Sequence, residues 1–244
     1  SARRILLPQS FLGIIFTMKY GQLTQLTVAL LITFLGLSAN AQTANCNKTT
    51  YLTFDTGNMA VAEKVAEILK RQEVKATFFL SNEKTFRGDF ALDDAWKVYW
   101  QERLKEGHHF GSHTYDHTYL VKDGPQGEVF VKPQFGPKAG MTLLYNEAAM
   151  CKEIRRVDQR FLELTGHSIE KIWRAPGGKT SPTLIRMGNM CGYEHMAWAG
   201  AGFLGDELDS DKHPNDKLLA KASKSIADGD ITMAHLGIWS RKDP

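Results

Sequence analysis

The sequence predicts an α/β fold built on a largely parallel sheet. Two observations carry that expectation. From residue 50 onward, short apolar runs alternate with helix-period patterns instead of following one another as consecutive strands. Every residue with reactive chemistry also closes one of those runs, as side chains do at the C-terminal face of a parallel barrel, where the strand ends converge.

The strand-like runs are 50–54, 76–80, 109–113, 172–174, 195–198 and 231–234. Between the first two, Val61, Val65, Ile68 and Leu69 space an amphipathic helix, and Leu143, Leu144, Ile154, Val157, Phe161 and Leu162 space a longer one. Trp96 and Trp100, four apart, are read as helix packing. The stretch 121–140 is rich in Gly and Pro and is expected to be a surface loop bordering a groove. Pro182 stands where a helix begins, and 218–226 forms a last helix before the final strand. Six strands fall short of a closed barrel, so the expectation is one open on one side or cut short at its C-terminus.

Residues 1–41 are set apart from the fold. From Met18 the chain has a basic start at Lys19, an apolar block from Leu26 to Leu37, and Ala39-Asn40-Ala41, the layout of a secretory signal peptide preceded by an upstream extension. The block is short for a bilayer span. An exported protein, periplasmic or secreted, with no stable membrane span after cleavage is expected. Residues 42–244 are then one domain. Arg3, Arg4 and Lys19 account for the whole excess of 30 Lys and Arg over 27 Asp and Glu, so the domain is formally neutral and offers little to nucleic acid. Of three cysteines, Cys151 and Cys191 fall in helical segments that could be neighbours and are the expected bridge, with three buried free thiols an equal alternative. Oligomeric state is not legible.

The chemistry sits in four motifs. Ser112-His113-Thr114-Tyr115-Asp116-His117 offers two imidazoles four apart, read as the same side of one helical turn and within reach of one cation. Thr53-Phe54-Asp55-Thr56-Gly57 places a carboxylate at a strand end. Trp173-Arg174-Ala175-Pro176-Gly177 adds an arginine beside a shaped turn, and Met233-Ala234-His235 a lone histidine. Together these are the parts of metal-assisted hydrolysis. A zincin arrangement is excluded because Thr114, not glutamate, follows the first histidine. His108, His109, His167 and His213 are read as surface residues, and His195 as a core histidine.

With these motifs in order over roughly residues 48–240, the chain resembles the polysaccharide deacetylases of carbohydrate esterase family four, the chitin and peptidoglycan deacetylases. The resemblance implies an irregular (β/α) barrel and a divalent metal, zinc being the expected one. It implies removal of N-acetyl groups from N-acetylglucosamine residues of a glycan partner, peptidoglycan first. On this chain it makes His113 and His117 the metal ligands, Asp55 the general base, Arg174 its ion-pair partner and His235 the general acid. The Gly177 N–H would stabilise the oxyanion, and Met233 would line the acetyl pocket. Trp239, close after His235, is the expected sugar platform.

Three departures stand out. Thr56 replaces a second aspartate that ligates the metal, leaving Asp55, the Thr56 hydroxyl or water to complete the set. Gly177 replaces an aromatic residue. An Asp-x-x-Asp-Trp segment is missing, with Asp206 and Phe203 as substitutes. They keep two alternatives open: a catalytically impaired glycan-binding relic, and hydrolysis of other acyl or amide groups on a non-glycan substrate.

Overall fold

The computed structural model describes residues 48–242; the leader and Cys46 lie outside them. Six parallel strands, β1 (Thr53–Asp55), β2 (Thr77–Leu80), β3 (His109–Ser112), β7 (Ile172–Trp173), β8 (Glu194–His195) and β9 (Ala234–His235), form one sheet in the order β8-β7-β3-β2-β1-β9. The helices are α1 (Ala62–Arg71), α2 (Lys97–Lys105), α3 (Glu147–Thr165), α4 (Pro182–Met190) and α5 (Asn215–Ser225). All six expected strand regions contribute to this sheet, and the α/β architecture with a parallel sheet holds.

Register explains the layering. Phe54, Phe78 and Phe110 are lateral neighbours on β1, β2 and β3, and their rings stack at 5.8 Å centroid spacings. Phe110 then meets Phe161 of α3 at 4.5 Å, so this face is buried beneath the helices. Strand side chains alternate between faces. The intervening residues Thr53, Thr77 and Phe79 therefore turn inward, where they line a small hollow of about 120 Å³ with Arg174 and Ile231. Asp55 shares that inward face.

The sheet does not close by regular pairing. Residues 199–204 run along 231–233 instead, through Ala199 N–H to Ile231 O at 3.0 Å, Met233 N–H to Gly202 O at 2.8 Å and Leu204 N–H to Met233 O at 3.2 Å. Gly202 permits the approach: a Cβ there would stand 2.1 Å from Ile231 O. This irregular stave flanks β9 where a seventh strand was wanting.

Helix ends follow their sequence signals. Asn146 accepts from Ala149 N–H ahead of α3, and Gly166 ends it at φ 79°. Ser181 accepts from Leu184 N–H ahead of Pro182. Cys151 of α3 and Cys191 after α4 form a disulfide, so the expected pairing is the one observed. Trp96 and Trp100 are fully buried, as helix packing requires.

Four expectations need correction. The stretch 121–140 is no open loop: β4 (Thr118–Asp123), β5 (Val129–Pro133) and β6 (Leu143–Tyr145) make a separate antiparallel sheet in which Val129 and Val131 are buried. Alternating burial outweighed the local turn residues. Leu143 and Leu144 belong to β6, because the Asn146 cap starts α3 only afterwards. His113 and His117 do not share a helical turn; they flank a tight turn described below. His108 is buried, its Nδ1 accepting from Ala76 N–H at 3.1 Å. Among the described residues no helix is long and apolar enough to cross a membrane.

Candidate active site

The C-terminal ends of β1, β3, β7 and β9 converge on a cavity of about 230 Å³, whose lining includes Asp55, Glu83, His113, His117, Tyr119, Gly177, Trp198, Met233 and His235. At its base Asp55, 2% exposed, receives a 2.8 Å hydrogen bond from Arg174 Nη1, and Arg174 is wholly buried. The guanidinium lies 4.0 Å from the centroid of Phe79, which fixes its plane, and its Nε donates to Met196 O. Burial pushes the Asp55 carboxyl up, but the charges of Arg174 and His235 and the arginine hydrogen bond outweigh it and hold it below the usual carboxylate range. Asp55 is a carboxylate at neutral pH.

His113 follows β3 directly. Its Nδ1 lies 3.0 Å from the Arg174 carbonyl, which can only accept, so Nδ1 carries the proton. Nε2 is left with its lone pair directed towards Asp55 Oδ2, 3.5 Å away. Burial lowers His113 to about 4, keeping the ring neutral. The chain then reverses through Thr114 (φ 61°) and His117 (φ 47°), bringing the two rings to 4.9 Å. Positive φ at two non-glycine residues costs on the order of 1–3 kcal/mol each. The compensation comes from α3: Tyr115 N–H donates to Glu153 O, Asp116 N–H donates to Glu153 Oε2, and Arg156 bridges Asp116 and Glu153.

His235 ends β9, opposite the pair. Asp206 Oδ2 accepts from its backbone N–H at 2.6 Å and from Nδ1 at 3.1 Å. Burial alone would lower this imidazole; the Asp206 hydrogen bond and charge, aided by Asp55 and Glu83, raise it to about 9. His235 is an imidazolium at neutral pH. The substitute role expected of Asp206 is thereby occupied, whereas Phe203 bridges Met233 in the closing stave and does not line the cavity.

Of the expected site residues, Asp55, His113, His117, Gly177, Met233 and His235 line one cavity, with Arg174 directly beneath. Trp239 does not. It is 63% exposed and borders a neighbouring hollow that shares His235. The aromatic walls come from Tyr119, Phe135 and Trp198. A Cβ at Gly177 (φ 61°) would stand 2.5 Å from Tyr119 Cε1, so Tyr119 fills the space left by the missing aromatic at 177. It also packs edge-on to His117 at 5.0 Å.

Glu83 was not anticipated either. It lies three residues beyond β2, and the strand-end signal that marked the other site residues could have found it. Its Oε1 accepts from the Thr56 hydroxyl at 2.9 Å and from Gly57 N–H at 3.0 Å, while Ser81 N–H donates to Thr56 Oγ1 at 3.1 Å.

The donor types around the cavity suit a divalent cation in their chemistry: the imidazoles of His113 and His117, the first with its second nitrogen fixed by a carbonyl, and three carboxylates, Asp55, Glu83 and Glu207. Among the described residues, no group of three or more His, Cys, Asp or Glu side chains is placed to hold a metal ion.

The strand ends of the parallel sheet thus gather a buried carboxylate, an imidazole pair and an imidazolium. The sequence profile of the family described as polysaccharide deacetylase matches residues 42–196, and the chain belongs to that family. Over 84 residues it is 37% identical to a peptidoglycan-N-acetylglucosamine deacetylase of Listeria monocytogenes, covering 34% of this chain but only 16% of that protein. A family 4 carbohydrate esterase from Streptomyces lividans superposes with a TM-score of 0.55 at 20% identity, covering 80% of this chain and 82% of that one. A family 4 pseudoenzyme from Bacillus anthracis superposes at 0.56 and 17% identity, covering 79% and 56%. These likenesses establish the distorted-barrel fold.

Proposed function

We propose that this protein is a metal-dependent hydrolase that removes N-acetyl groups from N-acetylglucosamine residues of an exported glycan, with peptidoglycan as the substrate. The observation that carries the reading is the opposed pair in one cavity: a carboxylate held ionised by buried Arg174, facing an imidazolium held by Asp206. Export rests on the leader sequence.

A divalent ion, zinc by its fit to histidine donors, would be held by His113 and His117 and would polarise the amide carbonyl and acidify the attacking water. Asp55 takes the water proton as oxygen bonds to the carbonyl carbon, and Arg174 keeps its free oxygen aimed. The Gly177 N–H faces the oxygen that gains charge. His235, its Nδ1 fixed on Asp206, gives the Nε2 proton to the departing nitrogen as the C–N bond breaks, releasing acetate and a glucosamine amine. Met233 packs the acetyl methyl, and Tyr119 and Trp198 flank the sugar ring.

The test is acetate release from purified peptidoglycan and from an N-acetylglucosamine oligomer, with added zinc and after chelation. Zinc-dependent release that His117→Ala abolishes supports the reading; release that survives thorough chelation overturns the metal mechanism. Among the described residues no group of three His, Cys, Asp or Glu side chains is placed to hold a metal ion, which favours a second reading, a glycan-binding relic. It requires saccharide binding without turnover. Parallel assays on simple acetyl esters separate a non-glycan substrate.

A further inference from the structure

Beside the catalytic cavity lies a second hollow of about 350 Å³, and His235 and Ile238 line both. The chain after β9 builds it. Gly237, at φ 128°, lets this segment close on the loop after β1: a Cβ there would stand 2.2 Å from Asn58 Oδ1. Gly237 O accepts from Asn58 N–H at 2.9 Å, and Leu236 O from Val61 N–H at 3.1 Å. Trp239 is thereby held at the hollow, 63% exposed. Two side-chain amides share the lining. Asn58 is buried, and its Oδ1 accepts from Ala60 N–H at 3.0 Å. Asn215 Oδ1 accepts from Arg241 Nη2. Each amide has its oxygen engaged by the protein, and among the described residues neither Nδ2 has a partner. The charges around the hollow are paired. Arg241 also donates to Leu208 O and His213 O, Lys242 Nζ lies 3.0 Å from Asp211, and Asp206 holds His235. One bare indole, two amide donors and paired charges suit an uncharged ligand with a flat apolar face and acceptor oxygens.

We propose that this hollow is a second sugar subsite, in which Trp239 stacks on the pyranose next to the one being deacetylated and Asn58 and Asn215 donate to its oxygens. A pyranose presents C–H groups on its face and acceptors around its edge: hydroxyls, the ring oxygen and, where acetylated, the amide carbonyl. His235 and Ile238 form the partition between the two hollows. A ligand spanning both carries its reacting nitrogen at that partition and its neighbouring unit against Trp239. Binding energy at the non-reacting unit then holds the reacting one in place, so recognition needs at least two units. This inference rests on the glycan reading of the catalytic cavity.

The test is calorimetric titration of N-acetylglucosamine monomer, dimer and tetramer into chelated protein, repeated with zinc present. Wild type, Trp239→Ala and Asn58→Asp are compared, with thermal melts to verify folding. Wild type should gain roughly tenfold or more in affinity from the monomer to the longer oligomers. Trp239→Ala, at an exposed position, should lose most of that gain. Aspartate at 58 keeps an acceptor for Ala60 N–H but has no donor, so oligomer affinity should fall roughly two- to tenfold. A purely structural role for Asn58 predicts no change, and that result overturns its assignment. Folded Trp239→Ala that keeps the wild-type length dependence overturns the proposal, as does wild type with equal affinity for monomer and tetramer. Wild type that binds no saccharide of any length in either state overturns the glycan reading as well, which separates the two failures.

Discussion

Asp206→Asn isolates the interaction that keeps His235 protonated. Asp206 supplies the two largest upward effects on this imidazole, a hydrogen bond and a charge, ahead of Asp55 and Glu83, while burial works against them. The rise from 6.5 to about 9 corresponds to roughly 3 kcal/mol of preference for the protonated ring, at about 1.4 kcal/mol per pH unit. Asparagine keeps the shape and an acceptor for Nδ1–H but removes the charge, so burial should regain control. The midpoint should fall by roughly two pH units, to neutral or below. Imidazole NMR titration of zinc-free wild type and variant reads this directly, without requiring activity.

Two consequences share that sign. A general acid must be protonated, so wild-type turnover should persist to about pH 9, and the variant should lose roughly tenfold or more at pH 8. A histidine whose folded value is raised stabilises the fold fully below its unfolded value near 6.5 and loses that contribution as pH climbs to about 9. The wild-type melting temperature should therefore decline across that window, and the Asp206→Asn curve should be flatter. A wild-type His235 midpoint near 6.5, or one unchanged in the variant, would refute the reasoning.

Arg174→Met leaves the Asp55 carboxylate buried without its partner and should cost about 3–5 kcal/mol at pH 7, measured by urea denaturation. In wild type the depressed Asp55 value contributes stability above the unfolded carboxylate range, lost as pH falls through the folded value; in the variant burial raises Asp55, so the deficit should shrink on acidification. Removing the Cys151–Cys191 disulfide, which closes a sequence separation of 40, should lower stability by about 4 kcal/mol on the chain-entropy account; an unchanged denaturation midpoint in Cys151→Ala/Cys191→Ala would count against that account.

Much of this architecture was legible because its signals are local. Strand–helix alternation, Pro182 at a helix start, and reactive residues closing apolar runs are all properties of short windows, and each led to the right element. The antiparallel sheet β4-β5-β6 was not legible. Its Gly and Pro residues describe turns correctly, yet whether the segments between them pair depends on burial against distant parts of the chain. The same limit hid the support for the histidine turn, since Glu153 and Arg156 act from nearly forty residues away on a helix whose local pattern looks ordinary.

The sequence by itself determined the fold class, the family and the chemical identities gathered at the site: Asp55, His113, His117, Arg174, Gly177, Met233 and His235. Order along the chain and position at strand ends suffice for these, because a parallel sheet brings all its strand ends to one side. Only the tertiary structure decided how the departures are accommodated. Glu83 leans on Thr56, Tyr119 fills the space above Gly177, Asp206 grips His235, and Trp239 stands outside the cavity. Each of these relations joins residues brought together by the curvature of the barrel, through contacts a few ångströms long that no spacing in the sequence encodes.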